Sequence, residues 1–246
     1  MLTYPFIVAI VSLAFSGVVL AQWATRRRPQ QLVWGAALLL AAAASFAFVG
    51  VLVTDSTLLF RIYYAGGALL MAAYLGMGSL YLVLPRRVAD LVLAALVVVS
   101  VVGVVLILVA PVDDAALRLL PRNGGAGANV LKPGAWLLPL ILLNVFGAGA
   151  VILVALYSAY KVLQRQAPVR FAAANVTIVV GTAIISGAGS AARLGAPNAF
   201  WVLMALGWIV IFAGFLLTTN LITVGAGRNV SAGRSATRSA TGRGAA

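Results

Sequence analysis

The chain has 246 residues, of which 63% are hydrophobic and only 9% are charged. Roughly a quarter of the residues of a soluble domain are charged, so this composition requires lipid as the solvent and excludes an ordinary soluble protein. The net charge of +13 is distributed over the ends of apolar segments and forms no basic face with interleaved aromatic residues, which argues against a nucleic-acid partner.

Seven apolar runs are long enough to cross a bilayer, which takes about 20 helical residues. Only helices satisfy their own backbone groups within one segment, and the alternating pattern of a membrane β-barrel is absent. The fold class we predict is therefore an all-α membrane protein, a seven-helix bundle that occupies residues 1–224. Its predicted spans 1 to 7 are residues 3–24, 32–53, 58–84, 88–110, 136–161, 169–192 and 197–224.

The basic residues predict the orientation, because lysine and arginine accumulate on the cytoplasmic side of membrane proteins. If the spans alternate, most of them lie on one side and the acids Asp55, Asp113 and Asp114 lie on the other. We expect the N-terminus outside and the C-terminus in the cytoplasm of a multi-pass protein of the cell membrane, specifically the cytoplasmic membrane of a bacterium. The predicted cytoplasmic group is Arg26, Arg27, Arg28, Arg86, Arg87, Lys161, Arg165, Arg170, Arg228, Arg234, Arg238 and Arg243.

Two further features concern the membrane boundaries. Residues 225–246 are rich in glycine, serine, alanine, threonine and arginine, and they predict a disordered basic cytoplasmic tail that binds anionic lipid headgroups. Tryptophans at the ends of spans predict an aromatic belt at the two interfaces. These tryptophans are Trp23, Trp34, Trp136 and Trp201.

Span 3 is predicted to be the central helix because it has two opposed faces at 100° per residue. Tyr63, Tyr74 and Tyr81 fall on one line at heptad-like spacing. The opposite line carries small residues, which would let another helix approach closely. These small residues are Ala65, Ala68, Ala72, Gly76 and Ser79.

The connection between spans 4 and 5 is the one long loop. Asp113 and Asp114 precede Ala115–Leu120, a pattern that predicts a short surface helix with acids at its N-terminus. A glycine-rich tip follows at Asn123–Gly127. We favour an ordinary mobile loop here over a lid on an outward opening. At the other side of the membrane, Asp90 is expected to pair with a neighbouring arginine.

Polar side chains at depth lie mostly in spans 5 and 6. They are Asn144 in span 5, and Asn175, Thr182 and Ser186 in span 6. Hydrogen bonding between helices is the interpretation we favour, and a binding site is the alternative. Trp208 lies in the middle of span 7, within a bulky stripe formed with Trp201, Met204, Ile211 and Phe215.

The residue types that the chain lacks limit the reactions and the metal sites that it can support. The chain contains no histidine, cysteine or glutamate. Zinc, haem and iron–sulfur sites therefore lack their usual ligands, and no carboxylate lies near the predicted midplane to drive an ion-coupled carrier. We expect no metal and no enzyme activity.

The topology is similar to that of the microbial rhodopsins, which also have seven helices and an outside N-terminus. That family attaches retinal to a lysine in the middle of its last helix, whereas Phe200–Trp208 contains no lysine. Arg61, Tyr63 and Tyr64 resemble the start of the third rhodopsin helix, but the acid that would pair with a Schiff base is absent. The resemblance implies a bundle of similar shape without covalently bound retinal.

Three functions remain open. The first is a non-catalytic membrane protein, either a scaffold or accessory subunit or a binder of an isoprenoid, quinone, pigment or lipid. The others are a transporter or channel for a neutral solute, and a sensor that signals through a partner. Expected partners are membrane lipids and other membrane subunits or further copies of the chain. We favour packing of the aromatic side chains into a core over a cavity between them. If a cavity is present, the candidate ligand-binding residues are Tyr63, Tyr74, Tyr81, Asn144, Asn175, Thr182, Ser186 and Trp208.

Overall fold

The structure, a computed structural model, describes residues 2–123, 125–164, 169–194, 196 and 199–217. Within them, seven helices are long and apolar enough to cross a membrane, as predicted. The predicted tail, 225–246, and the last part of span 7, 218–224, lie outside the described residues. The helices are α1 Thr3–Arg26, α2 Pro29–Thr54, α3 Thr57–Leu80, α4 Arg86–Val109, α5 Leu137–Gln164, α6 Val169–Arg193 and α7 Ala199–Leu217.

The links between α1, α2 and α3 are only a few residues long, so each helix begins shortly after the previous one ends. Arg27 and Asp55 adopt left-handed conformations, with φ of 50° and 51°, and terminate α1 and α2. Pro29 opens α2, where its missing N–H costs nothing, and the Ser56 hydroxyl accepts from the Leu59 N–H to cap α3. Such links place α1, α2 and α3 side by side as antiparallel neighbours.

α3 differs from the continuous α-helix that we predicted. Residues Tyr64–Leu70 form a π-helix, in which each N–H bonds to the carbonyl five residues back. One such turn holds an extra residue, so it rotates the following part of the helix by about 100° relative to an uninterrupted α-helix. The prediction that Tyr63, Tyr74 and Tyr81 share one face is therefore wrong.

The small residues in the later part of α3 do allow a close helix crossing, as predicted. A Cβ atom added at Gly76 would lie 2.7 Å from both the Cα and the carbonyl oxygen of Gly147 in α5. A Cβ atom added at Gly147 would collide with the carbonyl of Ala72. The crossing of α3 and α5 thus requires glycine on both helices.

α7 packs against α1, α2 and α6. The ring of Phe15 in α1 lies 4.9 Å from that of Phe212 in α7, measured between centroids. Phe48 in α2 lies 4.5 Å from Trp201 in α7 by the same measure. A Cβ atom added at Gly207 would lie 3.0 Å from the carbonyl oxygen of Gly181 in α6, so this crossing is also close.

The connection between α4 and α5 contains the predicted short helix, which we call the loop helix and which spans Asp114–Asn123. Asp113 Oδ1 accepts from the Ala116 N–H at 3.0 Å and so caps its start. Val112 and Leu131 then form an isolated antiparallel bridge that closes the loop at its base. The loop is therefore held in a defined shape above the helices.

Candidate functional site

The bundle contains a cavity of about 430 Å³, which we call the large cavity. Its size lies within the range of about 300–1,000 Å³ that is usual for small-molecule sites. Helices α1, α2, α3, α5, α6 and α7 and the loop before α5 all contribute to its wall. The wall is mainly apolar, and its polar side chains include Ser45, Tyr63, Tyr64, Asn144, Ser186 and Trp208.

Aromatic rings form one side of the large cavity. The Tyr63 ring lies 4.6 Å from Phe48 and 6.0 Å from Trp201 between centroids, and it contacts Tyr64 edge-on. Trp201 is 7% exposed, so its ring packs inside the protein, and it contributes to the wall of the large cavity. Tyr64 belongs to the wall and was not among the predicted site residues, because an isolated ring in an apolar span has no sequence signal that separates wall from core.

The glycine-rich tip of the loop forms the end of the cavity nearest to Tyr63. The Tyr63 hydroxyl donates to the Ala126 carbonyl at 3.1 Å, and Trp201 Nε1 donates to the Gly125 carbonyl at 2.9 Å. Gly127 has φ +68°, and a Cβ atom there would lie 2.6 Å from the Phe60 ring. We call residues 125–128 the roof. The roof is anchored to the bundle, which favours the lid over the mobile loop that we expected.

Trp208 is fully buried and lines the large cavity. Its indole N–H has no hydrogen-bond partner within the part of the chain that the structure describes. Leaving a buried donor unpaired costs about 1–3 kcal/mol, so native proteins rarely do so without a reason. The Nε1 atom exposes less than 1 Å², so protein atoms enclose this N–H, and Trp208 contributes to the cavity wall with its ring.

Asn144 has a structural role at the same cavity. Its Nδ2 donates to the carbonyl of Ala68, at 2.7 Å, and to the carbonyl of Leu140, at 2.8 Å. Ala68 lies in the π segment of α3, so the predicted hydrogen bonding between helices is confirmed for Asn144. Both amide hydrogens are used, and Oδ1 is left as the acceptor available to a ligand.

A second cavity of about 110 Å³, which we call the small cavity, adjoins the first. The two share several wall residues, among them Met71, Ala148 and Ser186. Thr182 and Trp34 line only the small cavity. The two cavities are therefore neighbours, and the large one is the one that reaches the roof.

Three of the four polar side chains of the small cavity, those of Trp34, Ser79 and Thr182, already have partners, and the fourth is that of Ser186. Trp34 Nε1 and the Ser79 hydroxyl each donate to the Leu75 carbonyl at 3.1 Å. The Thr182 hydroxyl donates to the Ile178 carbonyl one turn back in its own helix, at 2.8 Å. The predicted bonding between helices is therefore wrong for Thr182, and the small cavity is in effect an apolar chamber.

Three predicted site residues lie outside both cavity walls. The Tyr74 hydroxyl donates to the Ser100 hydroxyl in α4 at 3.4 Å, and Asn175 Nδ2 donates to the Phe171 carbonyl in its own helix at 2.8 Å. Tyr81 lies at the end of α3, next to Asp90. The structure therefore gathers Tyr63, Asn144, Ser186 and Trp208 at the large cavity, with Thr182 at the small one.

Tyr81 belongs to a polar cluster at the end of the bundle away from the roof. Its hydroxyl donates to Asp90 Oδ1 at 2.7 Å, and Arg86 Nε lies 3.8 Å from Asp90 Oδ2, which confirms the predicted pairing of Asp90 with an arginine. Burial, together with the hydrogen bond to Asp90, raises the pKa of the Tyr81 hydroxyl to about 12. The phenol remains a donor at physiological pH, and it ties α3 to α4.

Two properties of the walls limit what could bind. The described wall residues of both cavities include no charged side chain. Ile141 and Val145 belong to the wall of the large cavity and are also 50% and 69% exposed on the apolar surface of α5. The large cavity therefore opens at a surface of membrane-facing character, which suits an uncharged occupant that arrives from lipid.

Seven helices of membrane-spanning length and composition around an internal cavity indicate a multi-pass membrane protein. No protein-family model, no curated protein and no solved structure matches the chain. The chemistry of the cavities is thus the basis on which a function can be inferred.

Proposed function

We propose that the protein is a non-catalytic membrane protein that binds a neutral lipophilic small molecule in the large cavity. The observation that carries this proposal is the 430 Å³ cavity itself, whose described wall combines aromatic rings with a few polar side chains and includes no charged one. Aromatic walls with a few polar points are typical of sites for apolar ligands. The proposal keeps the aromatic packing expected from the sequence, since Phe48, Tyr63 and Trp201 contact one another, and adds a ligand beside these rings.

The character of the wall supports a binding protein over an enzyme. It offers phenols, hydroxyls, an amide and an indole, and none of these groups ionises near neutral pH in an apolar site. General acid–base catalysis needs a group whose pKa lies near the working pH. The described wall residues provide a place to hold a molecule, and they provide no pair of groups to transform it.

The site is proposed to act in the cell membrane of a bacterium, with the N-terminus and the roof outside and the C-terminus in the cytoplasm. The distribution of arginine and lysine supports this orientation. We also propose α3 as the central helix, because it contacts α2, α4 and α5 along its length. Membrane lipids are then the immediate partners, and the ligand is expected to exchange with them.

The test is to fill the cavity. Gly189 in α6 lines the large cavity, and a Cβ atom added there meets nothing within 4 Å. Gly189→Leu should therefore fold normally and displace the ligand. Native mass spectrometry and solvent extraction of the purified full-length protein should find a stoichiometric apolar molecule in the wild type and little of it in Gly189→Leu.

Gly187→Leu is the matched control. Gly187 lies two residues away in the same helix, is exposed, and also has nothing within 4 Å of an added Cβ atom, but it is not part of the cavity wall. This variant should keep the ligand at the wild-type ratio. If all three proteins release only bulk lipid in equal amounts, the proposed binding function is wrong.

Transport of a neutral solute is a second candidate, because the two cavities share wall residues and lie next to each other within the bundle. A transport path would be filled with water, whereas a site for an apolar ligand would stay dry. Labelling of Thr182→Cys and Ser186→Cys with a polar maleimide distinguishes the two, since the chain has no other cysteine. Fast modification of both thiols would favour transport, and inert thiols would favour ligand binding.

A further inference from the structure

Asn144 lies where the large cavity opens at the membrane-facing surface. Four wall residues of α5 recur at the spacing of one helix face, namely Ile141, Asn144, Val145 and Ala148. Ile141 and Val145, on either side of Asn144, are exposed, and we call the opening beside them the mouth. Asn144 lies about 10 Å along α5 from Leu137, its first residue. Its amide is therefore within the apolar span, at the mouth.

The hydrogen bonds of Asn144 determine which of its amide atoms remains free. Nδ2 donates to the carbonyl of Leu140 in its own helix and to that of Ala68 in the π segment of α3. The reverse placement of the amide would set Oδ1 against two carbonyl oxygens, so the two partners fix its orientation. Oδ1 accepts no hydrogen bond from any residue that the structure describes.

The Oδ1 atom of Asn144 is also accessible, in contrast to the indole N–H of Trp208. Among the described residues, protein atoms enclose three unpaired side-chain atoms, which are Ser12 Oγ, Gln31 Oε1 and Trp208 Nε1. Asn144 is half-buried, and its unpaired Oδ1 is not one of these three, so this atom borders open space at the mouth. An acceptor in apolar surroundings is costly unless a donor reaches it.

We propose that the ligand is a lipophilic alcohol whose hydroxyl group donates to Asn144 Oδ1. An amide oxygen can only accept, so it favours a molecule with a donor hydrogen over a ketone, an ether or a hydrocarbon of the same shape. The serine hydroxyls of the wall can donate or accept, so they favour neither kind of ligand. This inference rests on the proposed binding function and adds the chemical class of the ligand.

The class is tested with farnesol, an isoprenoid alcohol, and its methyl ether, which keeps the oxygen and the chain and lacks the donor hydrogen. Binding is measured on the purified full-length protein in lipid nanodiscs, with each affinity referred to the concentration of the probe in the lipid. The wild type should bind the alcohol about tenfold more tightly than the ether, the ratio for one net hydrogen bond. A ratio close to one in the wild type overturns the proposal without the need for a variant.

Asn144→Leu tests the assignment to this residue. Leucine has nearly the same shape and no acceptor, so the ratio of the two affinities should fall close to one. The substitution also removes the bonds to Ala68 and Leu140, but a change in packing weakens both probes alike and leaves the ratio as the readout. Asn175→Leu is the matched control, because Asn175 lies outside both cavity walls and donates to the Phe171 carbonyl in its own helix. This variant should keep the wild-type ratio.

Two results would overturn the assignment to Asn144. One is a wild-type ratio in Asn144→Leu, whether or not both affinities fall, since equal losses are the result of a purely structural role. The other is an equal fall of the ratio in Asn175→Leu, since that amide lines neither cavity.

Failure of this inference is distinguishable from failure of the binding function. If the apolar molecule extracted from the wild type and lost in Gly189→Leu carries no hydroxyl group, the function stands and the alcohol class is wrong. If the wild type binds neither probe and releases only bulk lipid, the binding function itself is wrong.

Discussion

Arg61 illustrates how a single charged side chain is used at the end of a membrane helix. Its Nη1 donates to the carbonyl of Ile107 at 2.8 Å, and its Nη2 donates to that of Ala110 at 3.0 Å. The last four carbonyls of a helix lack partners within that helix, and a positive charge interacts favourably with this end. Arg61 of α3 therefore caps α4, a role that sequence spacing does not reveal because the acceptors are backbone atoms 46 and 49 residues away.

Replacement of Arg61 by methionine should be strongly destabilising. Two charge-assisted hydrogen bonds are lost, the Ala110 carbonyl loses the Arg61 donor, and the Ile107 carbonyl keeps only the long bond from the Ala110 N–H at 3.4 Å. We therefore expect the free energy of unfolding to fall by about 1.5–3 kcal/mol. Arg61→Lys should recover only part of this, because an ammonium group cannot reproduce the two-pronged contact of a guanidinium. Thermal unfolding in detergent measures both variants.

Arg118→Met serves as the control for Arg61→Met. Arg118 is an exposed residue of the loop helix, and its replacement should change stability by less than about 0.5 kcal/mol. Equal stability of the Arg61 and Arg118 variants would contradict the capping role.

Among the helices, α3 shows most clearly which structural features the sequence could predict and which it could not. Its length and its small residues were evident from hydropathy and spacing, and Gly76 does face another helix closely. The π segment was not predictable, because its residues, Tyr64–Leu70, are compatible with either helix type. Tyr74 and Tyr81, which follow the π segment, were consequently predicted on the wrong face of the helix. Only Tyr63, which precedes the segment, was predicted beside the residues that it contacts in the structure.

Gly76→Leu should disturb the crossing of α3 and α5. The added side chain has no space, because even a Cβ atom would lie 2.7 Å from Gly147. Overpacking of this kind typically costs about 1–3 kcal/mol, which should appear as a lower midpoint of thermal unfolding.

Gly149→Leu is the comparison for Gly76→Leu, because an added Cβ atom at Gly149 in α5 meets nothing within 4 Å. It should unfold at nearly the same temperature as the wild type. If Gly76→Leu were as stable as Gly149→Leu, the close crossing would have no energetic importance.

For the whole molecule, composition was sufficient to predict the class of fold and insufficient to locate the site. Seven spans follow from hydropathy because lipid imposes a length and a polarity on every helix. The site depends on which helices meet, and Trp208 could be identified as an isolated ring at depth without any indication that its N–H lacks a partner. The roof was predicted to be a mobile loop, because no sequence pattern indicated its contacts. These contacts use the backbone carbonyls of Gly125 and Ala126, and every residue of any sequence has a backbone carbonyl.

The proposed orientation can be tested without background labelling, because the chain contains no cysteine. Thr25→Cys lies in the last turn of α1, and Ala115→Cys lies in the loop helix; both positions are exposed, and neither change alters the charge. In intact cells, a membrane-impermeant maleimide should modify Ala115→Cys and leave Thr25→Cys unmodified until the cells are opened.

Labelling of Thr25→Cys in intact cells, with protection of Ala115→Cys, would reverse the proposed orientation. Insertion of the chain in both directions would label the two thiols alike, and it would show that the basic residues do not determine the topology.

The π segment places the tyrosines of the two halves of α3 in different surroundings. Before it, Tyr63 anchors the roof; after it, Tyr74 and Tyr81 bond to α4. The segment holds one residue more than a regular α-helix with the same facing would need, so deletion of a single codon there would restore a regular α-helix and leave Tyr74 and Tyr81 directed toward α4. Conversion of the segment to a regular α-helix with every residue kept would instead turn the far half by about 100° and move both phenols from their partners in α4 toward the large cavity. The extra residue at this point therefore determines which way the far half of α3 faces.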